Sequence, residues 1–124
     1  TEIPGSSEVL DAGYVTYSNE AKIADLHVSS EVVETFGAVS VATAWAMAQG
    51  ALDSSNADIA VAITGIAGPD GGSPSKPVGT VVFARAERGK DPSQIHADQK
   101  LFDEAGRAGV RLQAALCALE LLMP

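Results

Sequence analysis

Ile59-Ala60-Val61-Ala62-Ile63-Thr64-Gly65-Ile66-Ala67-Gly68-Pro69-Asp70-Gly71-Gly72 runs from an unbroken apolar stretch straight into a glycine-rich loop. Side chains alternate between the two faces of a strand, so apolar residues at both parities predict a central strand covered on each side by helices. The loop continues through Ser73-Pro74-Ser75-Lys76-Pro77-Val78-Gly79, and ordered domains rarely keep so long an irregular connection unless it has a task. Open α/β sheets bind ligands beyond the ends of such strands. Glycines at 65, 68, 71 and 72 let backbone amides converge into a concave array that holds anions. The string is neither a Walker motif nor a dinucleotide fingerprint, because the lysine after Gly-Gly and the GxGxxG spacing are both missing. Glycine and proline also build long structural turns, so the loop alone leaves both readings open.

Working outward from that strand, Thr80 to Ala84 is a second apolar strand, Arg85 to Ser93 a charged turn, and Gln94 to Phe102 a more exposed strand. Arg107 to Met123 reads as a helix, apolar on most sides in its second half and expected to be largely buried. Upstream, Ser40 is placed to cap a helix whose Val41, Ala44, Trp45, Ala48 and Leu52 fall on one face, ending near Asp53-Ser54-Ser55-Asn56. Ser29 or Ser30 caps a shorter helix through Phe36 that Gly37 stops, and Glu20 to Leu26 forms another. Ala12 to Tyr17, rich in β-branched and aromatic residues, predicts a strand ending at Ser18-Asn19. Residues 1–124 therefore read as one α/β domain, with a mixed sheet and helices on both faces in three α/β/α layers.

Composition narrows the function. With 124 residues, 46% hydrophobic and 19% charged, the chain can bury a core but not two. A net charge of −8 with no basic stretch argues against nucleic acid as partner, since a binder must displace phosphate counterions. Cys117 is the single cysteine, so no disulfide framework forms within the chain. Its apolar surroundings suit a small buried hydrophobe in a cytosolic, cytoplasmic protein. No run approaches the ~18 apolar residues of a membrane helix. His27 and His96 have no second ligand at helical spacing, so neither metal nor cofactor is expected.

Two further groups of residues could carry chemistry. Lys22 lies about one turn beyond Tyr17, in Tyr17-Ser18-Asn19-Glu20-Ala21-Lys22. Such a lysine either stands solvated beside an edge tyrosine or, desolvated, loses its proton near neutral pH and serves as a general base. Arg107 and Arg111, four apart at the start of the last helix, share a face and either clamp a phosphate or form a solvated first turn.

Taken in order, Pro4-Gly5-Ser6-Ser7, Val15-Thr16-Tyr17-Ser18-Asn19-Glu20-Ala21-Lys22, Gly37-Ala38-Val39-Ser40, Thr64 to Gly72 and Lys76-Pro77-Val78-Gly79 resemble the CinA C-terminal domain, over nearly the whole chain. The glycine-loop string is the most specific of these motifs. The resemblance implies hydrolysis of the carboxamide of nicotinamide mononucleotide (NMN) to nicotinic acid mononucleotide and ammonia, a step of pyridine nucleotide salvage. It implies a serine nucleophile activated by a lysine, without a metal, Lys22 matching that lysine and Tyr17 the assisting tyrosine. Ser7, and the arginine at Arg107 or Arg111, match substrate-contacting positions, and Thr64, Gly65 and Gly68 belong to a loop lining the phosphate or oxyanion side. The family's nucleophile sits in a Glu-Ser-Cys-Thr-Gly-Gly motif ahead of Pro-Gly-Ser-Ser. The expectation is therefore that the family's first strand and helix, with that serine, lie upstream of Thr1; Ser6, Ser7 and Ser18 do not occupy the motif. Two other functions fit the same residues: a non-catalytic nucleotide-binding or competence-related regulatory module, and a homodimerisation domain using the apolar last helix.

Overall fold

The structure, a computed structural model, describes residues 2–103 and 106–123. Three strands, β1 (Ile59–Gly65), β2 (Thr80–Glu87) and β3 (His96–Leu101), form an antiparallel sheet in that order. Pairing runs Ile63↔Phe83 and Thr64↔Val82 between β1 and β2, then Val82↔Gln99 and Val81↔Lys100 between β2 and β3. The α/β class stands, while the described sheet is antiparallel throughout where a mixed one was expected. β2 also extends through Arg85 to Glu87, residues expected in the turn. The reason is visible on its faces: Ala84 and Ala86 are buried, and the Arg85 guanidinium donates through Nε to the Leu121 carbonyl at 2.7 Å.

Alternation on β2 splits the core in two. Val82, Ala84 and Ala86 face α3 (Val41–Asp53), whose Ala44, Met47, Ala48 and Leu52 are buried against them. Val81 and Phe83 face α4 (Gly106–Leu122) through Val110, Ala114 and Ala118. Two shorter helices, α1 (Asn19–Leu26) and α2 (Ser30–Phe36), pack on α3, completing an α/β/α stack. The expected cap of α3 is present: the Ser40 hydroxyl accepts from the Thr43 amide at 3.1 Å.

Two further expectations fail. Ala12 to Tyr17 is extended but joins no ladder; it is tied to the α3–β1 turn by Asp11, which accepts from the Asn56 amide, and by the Tyr14 hydroxyl, which donates to the Ser54 carbonyl. A strand needs a neighbour, and the edge of β1 lies across a groove from it. The second is α4. Leu112, Leu116 and Leu119 are exposed, because the sheet-facing side is made of small residues and one valine.

Candidate active site

Ser18 ends the extended segment with β-region backbone angles, and its hydroxyl accepts from the Ala21 amide at 3.0 Å, starting α1. One turn later Lys22 folds back over the chain that precedes the cap. Its side chain is 6% exposed, and Nζ donates to the carbonyls of Thr16 at 2.7 Å and Tyr17 at 3.3 Å. Burial pushes its pKa below the ordinary lysine value of 10.5. Among the described residues the ion pairs are Arg85–Glu87 and Lys90–Glu87, so no carboxylate holds the proton on Lys22. A neutral amine has two N–H donors and one lone pair. In that neutral form the two carbonyls take the donors and leave the lone pair for a reacting proton.

Lys22 lines a groove of about 810 Å³ that also includes Thr16, Tyr17, Ala38, Val39, Thr64 to Gly68, Asp70 and Arg107. Its floor is β1 and its far wall is the extended segment from Val9 to Tyr17. The sequence pointed to Tyr17 through its phenol, yet that side chain is 87% exposed and the contact with Lys22 is made by the carbonyl. A tyrosine at a strand end gives no sign in sequence of which of its oxygens will be used.

Thr64 and Gly65, read as loop residues, are the last two residues of β1. The Thr64 hydroxyl is buried and donates to the Ala38 carbonyl at 2.7 Å, pinning the strand end to the turn before α3. That turn is fixed from other sides as well. Ser40 and Thr43 donate to the Gly37 carbonyl, and Lys76, from the glycine loop, donates to the Phe36 carbonyl at 3.0 Å. A methyl group at Gly65 would lie 2.9 Å from Val81 Cγ2 and 3.1 Å from the Thr80 carbonyl oxygen, so no larger residue fits beside β2.

The loop closes on itself through Ile66 and Gly79, whose amides donate to the Thr80 and Ile66 carbonyls respectively, and through reciprocal bonds between Ser73 and Lys76. Gly68 has a left-handed φ of 83° and precedes a cis bond to Pro69. Arg107 reaches over from α4 and donates through Nη1 to the Gly68 carbonyl at 2.8 Å. One donor is thereby engaged in fixing the loop, and the fork has further N–H groups beside the groove. Arg111 is exposed and does not line the groove, and neither does Ser7, which sits in the short 3-10 turn Ser6–Glu8. The structure thus gathers Lys22, Tyr17, Thr64, Gly65, Gly68 and Arg107, and leaves Ser7 and Arg111 outside. Sequence reasoning missed Thr16, Ala38 and Lys76, whose roles run through backbone carbonyls or a contact 40 residues away.

No described helix is long and apolar enough to cross a membrane. Comparison with known proteins gives a consistent result. Residues 1–124 match the family described as the CinA C-terminal domain. A nicotinamide-nucleotide amidohydrolase PncC of Enterobacter agglomerans is 50% identical over 97% of this chain, which covers 71% of that protein. A Symbiobacterium thermophilum protein described as competence-damage inducible is also 50% identical, over 98% of this chain, but the chain spans only 30% of its length. The crystal structure of competence/damage inducible protein CihA from Agrobacterium tumefaciens superposes with a TM-score of 0.92 at 49% identity, covering 98% of this chain and 72% of that one.

Proposed function

The chain belongs to the CinA C-terminal domain family, and on that premise we propose that it forms most of an amidohydrolase domain that deamidates NMN, with Lys22 as general base. The observation that carries the reading is the Lys22 amine, buried, held by two carbonyls and opening on the groove. The likeness to the Enterobacter agglomerans PncC supports the substrate class.

The nucleophile in this reading is a serine from a segment preceding Thr1 in the full-length protein. What supports such a segment is the unused edge of β1. Ile66 donates to Thr80 and Arg88 to Asp58 across the β1–β2 ladder, so even-numbered residues of β1 bond to β2. Backbone polar groups of Ile59, Val61, Ile63 and Gly65 therefore point into the groove. A strand laid there would satisfy them and bring its end near Lys22 and Thr64.

The chemistry follows in two halves. Serine Oγ attacks the carboxamide carbon while the Lys22 lone pair takes the hydroxyl proton. The tetrahedral intermediate collapses, the C–N bond breaks, and Lys22 returns the proton to the departing nitrogen, releasing ammonia and leaving an acyl-serine. Water, deprotonated by Lys22, then attacks the ester, and the carboxylate product leaves as serine recovers its proton. Amides from the glycine loop would stabilise the oxyanion, and the free donors of Arg107 would face the phosphate of the substrate. The test is ammonia release from NMN by the full-length protein and its Lys22→Ala variant. Loss of turnover with an unchanged circular dichroism spectrum is expected, and activity that survives the change contradicts the assignment.

A further inference from the structure

The opposite edge of the sheet carries a different message. Phe102 donates to the Gly79 carbonyl at 2.9 Å, in register with the β2–β3 ladder. Even-numbered residues of β3 therefore bond to β2, and the backbone groups of Ala97, Gln99 and Leu101 point away from the sheet. Asp98, Gln99, Lys100 and Leu101 are all exposed. Asp98 and Lys100 project on the α4 face, where Lys100 Nζ lies 3.8 Å from Cys117 Sγ, while Ala97 packs on the α3 side.

We propose that β3 pairs antiparallel with β3 of a second copy of this chain about a two-fold axis at Gln99, joining the two sheets into one continuous sheet. Outward-facing groups must meet outward-facing groups, so only registers that set odd residues against odd residues can form the ladder. Three of these centre on the middle of the strand. An axis at Asp98 sets the two Asp98 carboxylates directly opposite each other. An axis at Lys100 does the same with two ammonium groups. Like charges directly opposite each other destabilise a strand pair. The axis at Gln99 instead puts Asp98 against Lys100 twice, in non-hydrogen-bonded positions where cross-strand side chains come closest. It also aligns Gln99 with Gln99 and Ala97 with Leu101, so that all three outward-facing residues of each strand find partners. Leu101, 59% exposed in the isolated chain, gains an apolar neighbour on the face opposite the ion pairs. The charges on this short strand thus select one register and reject its neighbours, and the pattern is self-complementary, as a two-fold interface requires.

Sedimentation equilibrium of the full-length protein and of charge-reversal variants tests this. The expected result is a dimer for the native chain, a dissociation constant raised at least tenfold for Asp98→Lys and for Lys100→Asp, and recovery in the double variant, which restores opposite charges across the axis. A monomeric native protein at high concentration overturns the proposal. So does a dimer that neither single reversal weakens.

Discussion

The two free edges of the sheet are built from different residues and prepare for different neighbours. Along β1 the strand is apolar on both faces and borders a groove lined by Leu10, Tyr14, Leu26, Met47 and Lys22. Along β3 the residues from Asp98 to Leu101 are exposed, with Asp98 and Lys100 carrying opposite charges on one face. An open backbone edge is a hazard unless something covers or charges it. Charge manages the β3 edge. The β1 edge has no such protection, and it is there that the buried lysine, the glycine loop and Arg107 converge. On the proposals above, the difference separates a chemical edge from an assembly edge, and the two should be alterable independently.

The largest expected effect breaks the chemical edge alone. Lys22→Met removes the proposed base while keeping a side chain of similar length in the buried site, and turnover of NMN should fall by about 10³-fold. KM should change little, because the amine acts on the proton rather than on binding. Next is Gly65→Ala, which forces a methyl against Val81 and the Thr80 carbonyl. A cost of about 1–3 kcal/mol in denaturant unfolding is expected, with no equal penalty for Ala97→Gly at the other edge. Arg107→Ala frees the Gly68 carbonyl and removes phosphate-facing donors, so KM should rise about 10-fold. Asp98→Lys should leave turnover within about 2-fold, since a surface substitution far from the groove changes little there. If it lowers turnover as far as Lys22→Met does, the two edges are not independent.

The smallest effect is a pH dependence of stability. The folded-state pKa of Lys22 lies below that of an unfolded lysine, so the folded state holds its proton less readily. Below both pKa values the amine is charged in either state and its burial costs stability in full. As pH rises from the lowered value toward 10.5 the folded form sheds its proton first, and this cost is relieved. Unfolding measurements across that window should show the native chain gaining stability relative to Lys22→Met.

How much of this was legible in the sequence depends on whether a residue's role is local. β1, β2 and α3 could be read because apolar spacing and the Ser40 cap act over a few residues. Ala12 to Tyr17 has strand composition and extended backbone, but whether a ladder forms depends on a neighbouring strand, which composition cannot supply. For α4 the apolar content was legible and its direction was not. A sheet that accepts Val110, Ala114 and Ala118 turns the larger leucines outward. At the site, Lys22 stood out by its distance from Tyr17, but only tertiary packing decides that it is buried. Arg107 and Arg111 are equivalent in sequence and both are exposed, and only the folded chain shows that Arg107 meets the Gly68 carbonyl and lines the groove while Arg111 does not.

The central claim is that Lys22 gives up its proton more readily than an ordinary lysine. Direct titration of that amine by NMR, with the resonance assigned through its loss in Lys22→Met, tests the claim without relying on any substrate. A pKa below 10.5, coinciding with the rise of kcat/KM with pH, is the predicted result. An amine that titrates at the ordinary lysine value would contradict the account and leave the groove without its base.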